Sequence, residues 1–297
     1  MENNLKSCEL CPRSCKVNRE TRQGACRSGS EIRIARAALH FWEEPPISGT
    51  KGSGTVFFTG CPLGCVYCQN WEISQSALPP GKTVSPEELS GLFFDLAEQG
   101  AHNINLVTPT HFMPLIREAL LTKKLPVPVV YNTSGYETVA ALRELEGLVD
   151  IYLPDFKYAD SALARALSRA PDYPEVCLAA IEEMVRQAGA PVYDEDGMMK
   201  RGVLIRHLIL PGHTANSIAV LEEIARRFPG IPVSLMAQYT PPEKFPEMEQ
   251  FPELQRPITK REQQKVEDKL FALGLDGFVQ ARSAKGERYL PDFHQFG

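Results

Sequence analysis

The segment Gly60-Cys61-Pro62-Leu63-Gly64-Cys65-Val66-Tyr67-Cys68-Gln69-Asn70 contains three cysteines with the spacing Cys-x3-Cys-x2-Cys. It directly follows an apolar run, Thr55-Val56-Phe57-Phe58-Thr59, which predicts a buried strand. This spacing brings three thiols within eight residues, close enough to contact one bound group. The sequence therefore predicts a loop that wraps around a bound group.

The group that this loop fits best is an iron–sulfur cluster, because such clusters are held by cysteine thiolates. A 4Fe-4S cluster has four irons, so Cys61, Cys65 and Cys68 would leave one iron without a protein ligand and open to a small molecule. A zinc knuckle and a set of buried thiols are the alternatives.

The composition is that of a globular protein, with 297 residues of which 43% are hydrophobic. No apolar run of about eighteen residues occurs, so we expect no membrane span. Residues 1–6 lack the basic and apolar regions of a signal peptide, and we therefore expect a cytoplasmic protein. In that reducing compartment, eight cysteines indicate metal binding rather than disulfides.

The net charge of the chain argues against a nucleic-acid partner, and two acidic runs are predicted to lie at the surface. The formal net charge is -5, which provides no electrostatic footprint for a phosphate backbone, and we expect no nucleic-acid partner. The runs Glu43-Glu44 and Asp194-Glu195-Asp196 are predicted to be solvated surface.

A second set of cysteines, Cys8, Cys11, Cys15 and Cys26, lies near the N-terminus with the spacing Cys-x2-Cys-x3-Cys-x10-Cys. This segment has too few apolar residues to fold around a core, and a bound metal would stabilise it. Zinc, a single iron and a second iron–sulfur cluster all accept four thiolates, and the spacing does not distinguish them. Structural disulfides or free thiols are the alternative.

Downstream of the cysteine loop, short apolar strands alternate with amphipathic helices. Such a pattern requires a parallel sheet with helices on its outer face. We predict an α/β fold, a partial (βα)6 TIM-type barrel at residues 51–297 with a Cys-rich metal-binding extension at residues 1–50. The predicted strands of the barrel are 55–59, 103–107, 127–131, 150–153, 203–210 and 233–237, with 277–281 as a candidate final strand. The alternating residues that begin at Ile32 predict another strand before them. The predicted helices are 85–100, 112–121, 137–146, 161–168, 174–188, 215–228 and 260–273. The first of them begins at a capping box, with Ser85 as N-cap and Glu88 three residues on.

Polar residues follow each of these apolar strands. In parallel α/β folds the reactive residues gather at the carboxyl ends of the strands, so we expect them to line one site. We interpret Cys177, which lies among apolar neighbours, as a buried hydrophobe. The polar groups are Thr108-Pro109-Thr110-His111, Asn132-Thr133-Ser134, Asp155-Phe156-Lys157, His213-Thr214 and Gln238-Tyr239-Thr240.

The cysteine loop resembles the signature of the radical S-adenosylmethionine (SAM) superfamily, which has this spacing, a preceding strand and usually an aromatic residue before the last cysteine, here Tyr67. The resemblance implies that Cys61, Cys65 and Cys68 hold a 4Fe-4S cluster and that SAM chelates the fourth iron. It further implies that one electron cleaves SAM to methionine and a 5'-deoxyadenosyl radical, which takes a hydrogen atom from the substrate.

Two later blocks are similar to pyruvate formate-lyase activating enzymes within this superfamily. Residues 132–135 resemble that family's Asp-Thr-Asn-Gly, and residues 153–157 contain a counterpart of its Asp-Leu-Lys. The sequence is most similar to the branch in which the N-terminal cysteines, residues 37–49 and the phrase at residues 105–111 occur together.

This resemblance implies a set of SAM contacts. Lys157 would contact the SAM carboxylate with Asp155 beside it, and Asn132 and Ser134 would hold the methionine part. Gln238 and Tyr239 follow the strand at whose end the family has a contact to the SAM ribose.

The sequence departs from the activating enzymes in two places. Val107-Thr108-Pro109 replaces the Gly-Gly-Glu that binds the SAM amino group, and we expect Asn105, Thr108 or Thr110 to take over. Asn132 stands where those enzymes have Asp, which changes any cation site built by their paired aspartates.

Three functions follow in order of preference. The first is a radical SAM oxidoreductase that activates a glycyl-radical protein, with a reductant such as flavodoxin or ferredoxin. The second is a radical SAM enzyme that uses the same chemistry on a peptide or small metabolite. The third is a non-enzymatic iron–sulfur electron carrier or scaffold.

Overall fold

The computed structural model describes residues 4–242, 246–280 and 293. Helices and strands alternate along most of this length, as predicted. In chain order they are β1 (Ile32–His40), α1 (Pro45–Ser48), β2 (Ser53–Phe58), α2 (Trp71–Ser74), β3 (Lys82–Val84), α3 (Pro86–Glu98), β4 (Ile104–Val107), α4 (Met113–Thr122), β5 (Val129–Thr133), α5 (Val139–Arg143), β6 (Ile151–Pro154), α6 (Ser161–Ser168), α7 (Tyr173–Ala188), β7 (Val192–Tyr193), β8 (Met199–Val203), β9 (Ile205–Leu208), α8 (Thr214–Arg227), β10 (Val233–Met236), α9 (Lys260–Ala272) and β11 (Gly277–Gln280).

The strands form two sheets that continue one another. The larger has the order β3-β1-β2-β4-β5-β6-β8-β7, and the smaller has the order β11-β10-β9. Only Leu204 separates β8 from β9, and a parallel bridge between Asp155 and Arg206 joins the end of β6 to β9. The ladders between β2, β4, β5, β6 and β8, and those of the smaller sheet, are parallel. The predicted partial (βα)6 barrel is confirmed, with β11 as an additional parallel strand.

Antiparallel strands complete the other edge. Strand β1, predicted from the alternating residues after Glu31, pairs with β2 over Ile34 to His40. The short strand β3, which we did not predict, pairs with β1. Its three residues are too few for an alternating pattern to be recognised.

Local capping explains two helix boundaries. The capping box predicted for α3 is confirmed, because Ser85 Oγ accepts from the Glu88 N–H and the Glu88 carboxylate accepts from the Ser85 N–H. Helix α5 begins later than predicted because the Thr138 side chain accepts from the Ala141 N–H and so acts as the N-cap.

The inside of the barrel is filled with side chains at the N-terminal ends of the strands. Helix α1 inserts Ile47, which is fully buried, against Val130, Ile151 and Leu204. Burying such a side chain contributes about 1.5–3 kcal/mol. This apolar layer fills the barrel at the N-terminal ends of the strands.

The Cys-rich N-terminal segment packs on the cysteine loop. The Arg13 guanidinium donates to the Pro62, Leu63 and Ser168 carbonyls over 2.8, 3.0 and 2.7 Å. The Cys61 N–H donates to the Cys26 carbonyl over 3.1 Å. Leu5 and Leu10 belong to the same hydrophobic cluster as the barrel, and the division at residue 50 stays a prediction.

No helix in the described ranges is both long and apolar enough to cross a bilayer.

Candidate active site

A cavity of about 260 Å³ lies at the carboxyl ends of the parallel strands. The cysteine loop forms one wall, and the residues that follow β4, β5, β6 and β10 form the others. Hydrophobic side chains, including Val107, Leu208 and Met236, line it between the polar groups. Of the residues predicted from the sequence, those that line the cavity are Cys61, Cys65, Tyr67, Cys68, Thr108, Asn132, Ser134, Asp155, Lys157 and Gln238.

At the start of the cysteine loop, the backbone passes very close to the N-terminal segment. Gly60 has φ 81°, and a Cβ there would lie 2.5 Å from the Cys26 carbonyl oxygen and 2.3 Å from Ser28 Oγ. Only glycine fits this position without displacing the N-terminal segment. The turn therefore directs the three thiols into the cavity while its outer side contacts the N-terminal segment.

Each of the three sulfurs has a hydrogen-bonding neighbour. The Leu63 N–H donates to Cys61 Sγ over 3.4 Å, Ser168 Oγ donates to Cys65 Sγ over 3.1 Å, and Cys68 Sγ lies 3.4 Å from Ser74 Oγ. Hydrogen bonds to the sulfurs are one of the means by which proteins tune iron–sulfur clusters.

Burial, together with the neighbouring Cys65 and Cys68, raises the pKa of the Cys61 thiol to about 12. The pKa of Cys68 is raised by burial and by Cys65. Thiols with a raised pKa become thiolates beside a strong positive charge, and a bound metal supplies it. The donor set therefore fits an iron–sulfur cluster.

Tyr67, the aromatic residue before the last cysteine of the loop, is linked to one of these sulfurs through two other hydroxyl groups. The Tyr158 hydroxyl is hydrogen-bonded to the hydroxyls of Tyr67 and Ser168, each over 2.7 Å, and Ser168 contacts Cys65. All three hydroxyl groups belong to buried residues. This chain of hydroxyls holds the cysteine loop against α6.

Charged side chains form a network on the opposite wall. Asp155 lies 2.6 Å from Lys157 Nζ and 2.8 Å from Arg206 Nε. Burial alone would raise the pKa of Asp155, but Arg206 and Lys157 hold it below its usual range. Burial would lower the pKa of Lys157, but the charge of Asp155 raises it instead. All three groups therefore stay charged around neutral pH.

Arg206 extends this network into the barrel. Its guanidinium donates to Asn132 Oδ1 over 2.6 Å and lies 3.2 Å from the Glu43 carboxylate. The other Glu43 oxygen accepts from Asn132 Nδ2 over 3.3 Å and from Asn105 Nδ2 over 3.1 Å. Asn105 thus lies below the cavity and does not line it.

The prediction that Glu43-Glu44 is solvated surface is wrong. Glu44 is 1% exposed, and the Glu43 carboxylate reaches Arg206 inside the barrel. Burial raises the pKa of both carboxyls, and Arg206 opposes that rise. Arg206 interrupts an apolar strand and a buried cation needs an anionic partner, but the sequence does not identify which acidic residue that partner is.

Two other predicted residues lie elsewhere. Thr110 Oγ1 donates to the buried Glu137 over 2.5 Å, and the Tyr239 hydroxyl donates to the Leu254 carbonyl over 2.7 Å. Neither side chain lines the cavity. Their roles as SAM contacts stay predictions.

The N-terminal cysteines lie close together. A Cβ on Gly24 would be 3.4 Å from Cys15 Sγ and 3.5 Å from Cys26 Sγ, and Cys8 and Cys11 are buried beside them. All eight cysteines of the chain are free thiols. In the ranges that the structure describes, no three Cys, His, Asp or Glu side chains are arranged to enclose a metal ion as they stand. Metal binding by this set is a proposal.

Comparison with known families decides the class of the site. Residues 55–225 match the family model described as Radical SAM superfamily. The chain belongs to the radical SAM superfamily. As a radical SAM enzyme it uses an iron–sulfur cluster, SAM and a reductant in radical chemistry, which confirms the corresponding predictions at this level.

Two relatives from one organism share sequence with this chain. Over 275 residues this radical SAM protein is 31% identical to "Uncharacterized protein MJ0674" of Methanocaldococcus jannaschii, which covers 89% of this chain and 74% of the relative. It is 23% identical over 235 residues to "Uncharacterized protein MJ0808" of the same organism, covering 73% of this chain and 64% of the relative.

A solved structure, a domain of pyruvate-formate lyase-activating enzyme from Bacteroides vulgatus ATCC 8482, matches with a TM-score of 0.36 and 17% identity. The match covers 66% of this chain and 91% of that chain.

Proposed function

We propose that Cys61, Cys65 and Cys68 hold a 4Fe-4S cluster and that the cavity beside them binds SAM. The observation that carries this proposal is that one cavity is lined by the three thiols and, opposite them, by Lys157 and Asp155. When bound, the cluster supplies the electron that cleaves SAM to methionine and a 5'-deoxyadenosyl radical.

The protein's own part is to hold the methionine end of SAM. The Lys157 ammonium binds the SAM carboxylate, while Asp155 keeps that ammonium charged and in place over 2.6 Å. Asn132 and Ser134 add polar contacts, and Gln238, on the β10 side of the cavity, contacts the ribose. The apolar wall of Val107, Leu208 and Met236 excludes water from the reacting atoms.

Among the three candidates for the SAM amino group, we place Thr108 at the contact. Thr108 lines the cavity, whereas Asn105 and Thr110 do not. It adopts φ 60°, a left-handed conformation that costs a β-branched residue about 1–3 kcal/mol, and its N–H donates to the Asn132 carbonyl over 2.9 Å. Backbone strain of this kind clusters at functional sites, where the surrounding structure holds it in place.

For the substrate, we propose the backbone glycine of a glycyl-radical protein. The support is sequence similarity to activating enzymes at residues 132–135 and 153–157, both of which contribute to the cavity wall. A peptide or a small metabolite is the alternative substrate. Gln69, which lines the cavity, is exposed, so the cavity opens to solvent and admits either.

Two further assignments accompany this function. The N-terminal set Cys8, Cys11, Cys15 and Cys26 holds a second metal, which is zinc, a single iron or an iron–sulfur cluster. The reaction takes place in the cytoplasm, where thiols are kept reduced.

SAM cleavage is tested by anaerobic reconstitution with iron and sulfide, reduction with dithionite, and quantification of 5'-deoxyadenosine. We expect one methionine for each 5'-deoxyadenosine. Cys65→Ala should abolish both products, and the matched control Cys177→Ala, which removes a buried thiol outside the cavity, should retain most activity. Equal loss in both variants, or no product from the wild type, would contradict the proposal.

The substrate is tested with pyruvate formate-lyase as the probe. Electron paramagnetic resonance should detect a glycyl radical on that protein when SAM is consumed, and no radical with Cys65→Ala. If 5'-deoxyadenosine forms without a protein radical, the glycyl-radical assignment fails and the peptide or metabolite alternative replaces it.

A further inference from the structure

The cysteine loop has a second accessible side, away from the SAM cavity. A recess of about 220 Å³ lies there between the loop and the Cys-rich segment, and we call it the outer recess. Its walls include Cys61, Leu63 and Gly64, which also line the SAM cavity. Ser74 of α2 also lines both spaces, so the loop and this residue form the wall between them.

Arginines surround this recess. Arg13 and Arg27 come from the Cys-rich segment, and Arg169 follows helix α6. None of the described residues that line the recess is acidic. Since the whole chain has a net charge of -5, three arginines around one recess stand out against the rest of the molecule.

The charges of two of these arginines are not neutralised by carboxylates in the hydrogen bonds they make. Arg13 donates to the Pro62, Leu63 and Ser168 carbonyls, and Arg27 donates to the Gln75 carbonyl. A carbonyl oxygen satisfies an N–H donor but carries no net charge. The recess therefore presents positive potential directly outside the cysteine loop.

The charge comes largely from the N-terminal segment itself. Between Cys8 and Arg36 the sequence has seven Lys or Arg residues and three Glu residues. Arg13 also stacks over the Tyr136 ring at 5.3 Å, which ties the segment to the barrel beside the loop. The segment thus carries a cationic surface to the outer side of the loop whatever its cysteines bind.

We propose that the outer recess is the docking surface for the reductant, and that this reductant is a small electron-transfer protein with a carboxylate-rich face. The inference rests on the proposed function, because it assumes an iron–sulfur cluster at Cys61, Cys65 and Cys68. One electron leaves the docked protein and enters that cluster, and no atom or proton is transferred at this surface. Complementary charge speeds such encounters by 10-fold to 10³-fold, and salt weakens the effect.

The test compares two reductants on the reconstituted protein. Photoreduced flavodoxin is the carboxylate-rich protein probe, and photoreduced 5-deazariboflavin is a small uncharged reductant that needs no docking surface. Bleaching of the iron–sulfur absorbance measures reduction without SAM, so the test is independent of SAM cleavage. Failure of SAM cleavage with intact bleaching would overturn the proposed function and leave this inference standing.

Arg27→Glu/Arg169→Glu reverses two charges and leaves Arg13 to support the loop. We expect reduction by flavodoxin at low salt to slow at least tenfold, and the Kd for flavodoxin measured by titration calorimetry to rise by a similar factor. Reduction by 5-deazariboflavin should not change. Arg27→Gln/Arg169→Gln should give an intermediate loss if charge, rather than misfolding, is the cause.

The matched control is Lys51→Glu/Lys124→Glu, because these exposed lysines precede β2 and β5 at the opposite edge of the sheet. Flavodoxin should bleach the iron–sulfur absorbance of this control variant as fast as that of the wild type. Equal slowing by the control, no slowing in the Arg27/Arg169 variants, or failure of flavodoxin to reduce the wild type at low salt would each overturn the docking surface.

Discussion

Arg206 and Glu43 are 163 positions apart in the sequence, yet the guanidinium of one lies 3.2 Å from the carboxylate of the other inside the barrel. Arg206 also pairs with Asp155 at the cavity wall, so one guanidinium joins the α1 side of the barrel to the candidate SAM site. The stability of the barrel and the arrangement of the site therefore depend on the same side chain.

Replacing Arg206 should destabilise the fold. Arg206→Gln leaves Glu43 and Asp155 without this cation, and removal of one partner from a buried pair costs about 3–5 kcal/mol. Denaturant unfolding measures the loss, and the double variant Glu43→Gln/Arg206→Gln should lose less than the sum of the two single variants. Arg201→Gln on β8, whose guanidinium donates to the Gln187 carbonyl at the surface, is the control and should change the free energy of unfolding by less than about 0.5 kcal/mol. A loss below about 1 kcal/mol for Arg206→Gln would contradict the network.

Lys157 should determine the affinity for SAM, whichever substrate the enzyme acts on. Lys157→Met removes the ammonium that we assign to the SAM carboxylate, and the Kd for SAM should rise at least tenfold, which is about 1.4 kcal/mol. Equilibrium dialysis with the reconstituted protein measures it. Lys200→Met, which removes an exposed ammonium paired with Asp194, should leave the Kd unchanged. An unchanged Kd in Lys157→Met would remove Lys157 from the site.

Glu137 should make stability depend on pH. Burial raises its pKa to about 7, although Thr110, Thr133 and Tyr131 donate to it. Because the pKa in the folded state is above the ordinary value of 4.5, the contribution of Glu137 is complete below about pH 4.5 and is lost as the pH rises through 7.

The measurement is the free energy of unfolding between pH 5 and pH 8. Relative to Glu137→Gln, which keeps the shape and an acceptor oxygen, the wild type should lose about 2.5 kcal/mol over this range. The comparison cancels the other titrating groups. Glu118→Gln, on the exposed face of α4, should follow the wild type, and parallel curves for wild type and Glu137→Gln would show that the carboxyl titrates normally.

Metal content should separate the two cysteine sets. Cys8→Ala/Cys11→Ala should lose one metal equivalent or one cluster's iron relative to wild type while keeping the iron bound at residues 61–68. Elemental analysis distinguishes zinc from iron at the N-terminal set. Identical metal content in the variant and the wild type would mean that this set binds none.

Much of the fold was predictable because its signals are local. Alternation of apolar strands and amphipathic helices identified the (βα)6 order, and the capping box at Ser85 and Glu88 identified the start of α3. Residues after β4, β5 and β6 meet as expected, since parallel strands end at one edge of a sheet, and Thr108, Asn132, Asp155 and Lys157 line one cavity. The expectation fails for His111, His213-Thr214 and Tyr239-Thr240, which do not line it.

Side-chain direction beyond the strand ends was not predictable in the same way. Thr110 follows the same strand as Thr108 but belongs to a short 3-10 turn, and that turn directs its hydroxyl to Glu137 on the outer side of the sheet. Asn105 is on the inner face of β4 but one layer below the cavity, where it reaches Glu43.

The sequence by itself determined the cysteine loop, its place after β2 and the polar edge around it, because these depend on spacing and on the period of a strand. The tertiary structure alone decided that Glu43 and Glu44 are interior and that Arg206 joins them to the site. A charged pair in a sequence is normally solvated, and only folding brings a guanidinium from another strand close enough to offset the cost of burying it.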